Sequence, residues 1–90
     1  MPSTSEDPDR PLLDRARREL PYQTSAYQAL VERHSAAVFR RAYRLLGSRA
    51  DAEDVVQEVF LSVFRAIPRL EVRGGFAPWL NTVTLNASLR

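Results

Sequence analysis

Between Ala52 and Phe64 the chain reads AEDVVQEVFLSVF, and only a helix sorts these residues by kind. At about 100° per residue, Ala52, Val56, Val59, Val63 and Ala66 fall in one sector, with Val55, Phe60 and Ile67 at its margins. Asp54, Gln57, Glu58 and Arg65 lie opposite, and Leu61 stands in their midst. The apolar sector must face a core, so the chain needs further helices to cover it. A leucine ringed by acids and an amide fits a docking surface, where an apolar anchor sits inside a polar rim. A lone exposed leucine is equally ordinary in any folded protein, and on the wheel alone both readings stand.

The flanking sequence supplies the other helices. Asp9, with Pro11 inside the first turn, opens a short stretch LLDRARREL that Pro21 ends. A long helix is expected from about Ser25 to Leu46, closed by Gly47. Tyr27, Val31, His34, Val38, Ala42 and Leu45 form one apolar stripe on it and Phe39, Tyr43 and Leu46 a second, which predicts packing on two sides. Arg33, Arg40 and Arg44 share a third edge, a basic strip for solvent or phosphate. The next helix is expected to start at Asp51 as N-cap, with Asp54 three residues on, and to stop at Pro68. A loop PRLEVRGGF follows, and Pro78 marks the first turn of a last helix that runs out at Arg90. No segment has the residues of a strand. The expectation is an all-α, compact bundle of three main helices plus a short N-terminal helix. Residues 1–24 read as a partly disordered extension, MPSTSEDP being polar throughout, and 25–90 as the helical domain. A last helix that runs out without a breaker leads to the expectation of a longer protein, with a downstream domain absent from this chain.

Charge is segregated along the chain although its net value is only +2. Residues 25–50 carry five arginines against Glu32; residues 51–67 carry Asp51, Glu53, Asp54 and Glu58 against Arg65. A basic segment beside an acidic one points to two surfaces with different partners, or to one helix pairing with the other. With no cysteine and a single histidine, the chain excludes a disulfide framework and a zinc site of its own side chains. No apolar run approaches the roughly 20 residues that span a bilayer. A cytoplasmic protein without membrane insertion, metal or cofactor is the simplest expectation.

On the last helix Trp79, Val83, Asn86 and Arg90 share a stripe, while Phe76, Leu80 and Ala87 form the adjacent apolar one. An aromatic, an amide and an arginine in line suit nucleic acid through stacking, base-edge hydrogen bonds and phosphate contact; the same tryptophan also suits a core. The preceding loop brings Arg69, Arg73 and the pair Gly74-Gly75, a plausible pocket for a base removed from its stack, though Gly-Gly is equally an ordinary turn. Catalysis finds no constellation: His34 lies on a core stripe, and Glu53 and Asp54 diverge by about 100° around their helix. An enzyme is not expected.

DAEDVVQEVFLSVFRAIPRL followed by GGFAPWLNTVTLN, and preceded by YQALVERHSAAVFRRAYRLLGS, closely resembles region 2 of the extracytoplasmic-function (ECF) sigma factors, across about Ala26 to Arg90. The resemblance implies that Asp51, Glu53, Asp54, Gln57, Glu58 and Leu61 dock on the β′ clamp helices of RNA polymerase core, with Leu61 as anchor. It implies too that the loop and last helix recognise the −10 promoter element as it melts, holding the non-template strand and capturing an unstacked base. Carried over by position, those residues are Arg69, Leu70, Glu71, Val72, Arg73 and Gly74 in the loop, then Phe76, Trp79, Val83, Asn86 and Arg90, which support the pocket or contact DNA. Arg40 and Arg44 extend the positive surface. An anti-sigma factor is the further partner implied. Leu70 stands where the family often has an aromatic, and Asn81-Thr82 where it has a Tyr-Arg-like pair, which implies a distinctive promoter preference. The competing readings are a duplex-binding regulator of helix-turn-helix type and a protein-interaction bundle that does not touch DNA.

Overall fold

Gly47 closes one long helix and Ser48 opens the next, and this two-residue connection folds the central pair of helices back on each other. The computed structural model describes residues 7–90. Its helices are α1 (Arg10–Glu19), α2 (Ser25–Leu46), α3 (Arg49–Ala66) and α4 (Phe76–Ser88), with a 3-10 turn at Ile67–Arg69. No strand occurs among the described residues. The polar N-terminal tract expected to be disordered falls, but for Asp7 and Pro8, outside them. α2 packs against α1, α3 and α4, and α3 also packs against α4, so the expected all-α bundle of three main helices and a short N-terminal one is what forms. No helix is long and apolar enough to cross a membrane, among the described residues.

Each helix end has a local cause. Gly47 takes the left-handed conformation (φ 69°) and its amide donates to Tyr43 O at 2.8 Å, ending α2. Ser48 Oγ accepts from the Asp51 amide at 3.2 Å. The cap of α3 is therefore Ser48, not Asp51 as expected; Asp51 lies in the first turn, where its charge favours the helix dipole. At the head of α2 the carboxylate of Glu19 accepts from the Ala26 amide at 2.9 Å and from Ser25 Oγ at 3.1 Å. The bond from Ala26 is the main reason its pKa falls below the usual 4.5.

The core contains Leu13, Ala16, Leu30, Val38, Val59, Val63, Ile67, Phe76 and Leu80, each at most 2% exposed. Two expectations for α2 need correction. Its buried residues are Ala26, Leu30, Val38 and Ala42, spaced in fours so that the buried face drifts by about 40° per step, and Leu45 at the far end is 50% exposed. The second stripe packs only in part: Phe39 and Leu46 are half-buried against the core, while Tyr43 is exposed and stacks on Phe39, ring centroids 5.9 Å apart.

On α4 the buried face is Phe76, Leu80, Thr84 and Ser88, while Ala87 is only half-buried. Two buried hydroxyls on a core face escape a hydropathy pattern. They cost little here because Thr84 donates to Leu80 O and Ser88 to Thr84 O, both at 2.8 Å, inside their own helix. Tyr27 joins α2 to α3: its hydroxyl donates to Phe60 O at 2.7 Å, its ring meets Phe64 edge-on at 5.2 Å, and burial raises its pKa above 10.0.

Candidate polymerase and nucleic-acid surfaces

The outer face of α3 is open. Asp51, Glu53, Asp54, Gln57, Glu58 and Leu61 are all exposed, and Leu61 is 53% exposed while Val59 and Val63 on the opposite side are fully buried. Leu61 borders a shallow, mostly apolar groove between α2 and α3, lined also by Tyr27, Val31, Val56 and Phe60. Val56 stays half-buried there although the wheel puts it in the core sector. The acidic face thus combines carboxylates, an apolar anchor and an adjoining groove, the ingredients of a protein-docking surface.

The loop from Pro68 to Gly75 walls a cavity of about 950 Å³ whose opposite wall is Arg10, Leu13 and Arg17 of α1. Arg69, Glu71, Arg73 and Gly74 are exposed, and neither loop arginine has an ion-pair partner among the described residues. Val72 is half-buried against the core and Leu70 is buried, 9% exposed. Leu70 therefore anchors the loop instead of standing in it as a contact residue. Phe76 is fully buried, stacked obliquely on His34 and Trp79 at 5.3 and 5.8 Å; of the two roles expected for it, burial leaves only support. Trp79 and Val83 are half-buried and Asn86 is exposed, so this stripe rises from the core edge to solvent along α4.

The arginines divide. Arg33 is held by Asp9, Nη1 to Oδ1 at 2.8 Å, and by the Pro8 carbonyl at 3.2 Å. Arg40 and Arg44 are exposed and without an ion pair among the described residues. Arg90 pairs with Glu58, so the last residue of the expected DNA stripe sits beside the acidic face of α3. His34 is packed and hydrogen-bonded to Asp9 at 2.9 Å.

Sequence reasoning passed over the N-terminal segment, which touches the cavity directly. Asp7 Oδ2 accepts from the Phe76 amide at 2.8 Å and so caps α4, whose own N-cap, Gly75, has no side chain to do it. Arg17 donates from Nε to Ile67 O at 3.3 Å and from Nη2 to Leu70 O. The legible signal was the apolar spacing of Leu12, Leu13, Ala16 and Leu20, which demands a surface to cover. The partners of Asp7 and Arg17, 50 residues or more away, carry no local signature.

The domain is all-helical, with an acid-ringed leucine exposed on α3 and an arginine-bearing loop before α4. The Sigma-70 region 2 family matches residues 30–90, and the chain belongs to that family. It is 42% identical over 64 residues to the ECF RNA polymerase sigma factor SigE of Mycolicibacterium smegmatis, covering 71% of this chain and 24% of that protein. It is 40% identical over 63 residues to the RNA polymerase sigma factor CarQ of Myxococcus xanthus (70% and 36%). It is 27% identical over 64 residues to the ECF RNA polymerase sigma factor SigW of Bacillus subtilis (71% and 34%). The resemblance to region 2 of the ECF sigma factors is borne out, and the chain spans between a quarter and just over a third of the length of these relatives. No solved structure gives a significant match.

Proposed function

We propose that the chain acts as the core-binding and −10-reading part of a sigma factor, without catalysis of its own. The outer face of α3 docks on the β′ clamp helices of RNA polymerase, Leu61 entering an apolar site while Asp51, Glu53, Asp54 and Glu58 meet basic residues around it. The Pro68–Gly75 loop, with Trp79, Val83 and Asn86 behind it, takes a base of the non-template strand as the duplex opens. The favourable contacts offset unstacking, which costs a few kcal/mol. Arg69, Arg73, Arg40 and Arg44 contact phosphates, so affinity falls with salt.

The observation that carries this reading is the loop itself: a cavity-forming turn whose two arginines have no ion-pair partner among the described residues. Cations held beside a cavity and not neutralised by the fold suit an anionic ligand. The test compares single-stranded non-template oligonucleotides with the matching duplex. Tighter binding of the single strand, lost in Arg73→Ala and Asn86→Ala, supports base capture; preference for intact duplex points instead to a helix-turn-helix mode of reading.

A further inference from the structure

We propose that the segment Asp7–Arg17 is a positioning brace for the DNA-reading loop, fixing both ends of it and thereby setting which base it accepts. The proposal rests on the reading of that loop as the base-capturing element. Its start is held by Arg17, whose guanidinium spans the Ile67 and Leu70 carbonyls. Its end is held by Asp7, whose carboxylate takes the Phe76 amide immediately after Gly75. Between these points Arg69, Glu71, Arg73 and Gly74 are exposed, and the one backbone bond within the turn is Gly75 N to Val72 O at 3.4 Å.

Both holding groups belong to the one segment Asp7–Arg17. Asp7 is fastened to the head of α1, its carbonyl accepting from Arg10 N and its Oδ1 from Asp9 N, both at 3.0 Å. α1 is fixed to the bundle by Leu13 and Ala16, 1% and 0% exposed, and by the buried Asp9 bonded to Arg33 and His34 of α2. The loop is therefore strung between Arg17 of α1 and Asp7 just ahead of that helix, and α1 forms the far wall of the cavity. A site that discriminates between bases needs its walls held to a fraction of an ångström, and an exposed turn does not hold itself so closely.

Arg17 also faces the cavity, and a direct phosphate contact predicts different behaviour. A lysine keeps the charge, but its donors all radiate from one nitrogen and lack the planar fork by which Nε and Nη2 reach separate carbonyls. Removing a phosphate contact lowers the slope of log affinity against log salt by about one; releasing a loop end does not.

The experiment selects single-stranded oligonucleotides from a randomised pool with the chain as it stands. The variants are Arg17→Ala, Arg17→Lys, Asp7→Ala and Asp7→Asn, with Arg73→Ala and Asn86→Ala in parallel and thermal melts of each. Arg17→Ala, Arg17→Lys and Asp7→Ala are expected to flatten the preference at the captured base by about tenfold while leaving the salt slope unchanged. Asp7→Asn, which keeps an acceptor for the Phe76 amide, retains most of the preference. The brace is refuted if Asp7→Ala and Arg17→Lys, with helical content intact, select the same sequences as the unaltered chain. It is refuted equally if only Arg17→Ala changes binding and does so by lowering the salt slope. If the unaltered chain enriches no sequence, or Arg73→Ala and Asn86→Ala select as it does, the loop reading itself fails, and the brace with it.

Discussion

His34 Nε2 donates to Oδ1 of Asp9 at 2.9 Å, and the same oxygen accepts from Arg33 Nη1 at 2.8 Å. The Asp9 side chain is 3% exposed and that of His34 14%, whereas that of Arg33 is 46% exposed. Cutting the carboxylate away therefore affects the two partners unequally. Arg33 can turn to water; the histidine is left with an unpaired ring nitrogen near Phe76. Asp9→Ala is expected to destabilise the fold by about 1–3 kcal/mol, the cost of an unsatisfied buried polar group, and Asp9→Asn by less because one acceptor oxygen remains. Urea denaturation measures both, and equal losses in the two variants would show that charge rather than the hydrogen bond dominates.

The two loop glycines make different demands. Gly75 has φ 98°, and an added Cβ would lie at ordinary contact distance from Pro78 Cδ (3.6 Å) and Asp7 Cγ (3.9 Å). The obstacle to a side chain there is the backbone conformation, not space. Gly75→Ala should cost about 1–3 kcal/mol and weaken the Phe76–Asp7 cap as the turn relaxes. Gly74, with nothing within 4 Å of its would-be Cβ and no positive φ, should accept alanine with a gain of up to about 1 kcal/mol by restricting the unfolded chain. Melting the two single variants side by side checks the contrast.

At low pH the joint between α1 and α2 loses stability through Glu19. Its folded pKa lies below the ordinary 4.5 chiefly because the carboxylate accepts from the Ala26 amide, with Ser25 and Arg15 adding to the effect. A carboxylate depressed in the folded state contributes stability that is full above the unfolded value and is lost as pH falls through the folded one. Glu19→Gln, which keeps the shape and one acceptor, should therefore be less stable than the unaltered chain at neutral pH and match it more closely as pH falls from the ordinary 4.5 through the lower folded-state pKa. Urea midpoints across that range test it; a pH-independent gap would remove the carboxylate charge from the cap.

How much was legible follows the range of the forces involved. The wheel of α3 found both its faces because 18 consecutive helical residues repeat one pattern. It placed Leu61 outward correctly, and Val59 and Val63 inward. The cap of α3 was missed by three residues because Ser48 and Asp51 are both good caps, and only the length of the turn after Gly47 decides between them. Leu45 and Tyr43 were read as core because a stripe says which side is apolar, not how far a neighbour extends along it. The acidic surface, borne on one helix, was nearly all visible. The cavity was visible by half: its loop wall is one contiguous segment, but its other wall is α1, joined to it by Arg17 and Asp7 across 50 and more residues.

Leu61 provides the most direct test of the acidic surface. It is 53% exposed on α3, one turn before Arg65, so it contributes little to the core. Leu61→Asp lowers helix propensity and removes half-exposed apolar area, and the folding cost should stay near about 1 kcal/mol. Val59→Asp puts the same carboxylate where the side chain is 0% exposed and should unfold the domain. If the acidic face docks on the polymerase, the expected losses separate: Leu61→Asp keeps the helical signal and melting profile but loses about 30-fold or more in affinity for RNA polymerase core, as removal of an interface anchor worth about 2 kcal/mol does. Glu53→Ala, at the rim, should lower the association rate at low salt and leave dissociation nearly unchanged. Calorimetry on the free variants and binding to immobilised core enzyme distinguish these outcomes, and unaltered affinity in Leu61→Asp would assign the exposed leucine to the ordinary surface of the bundle.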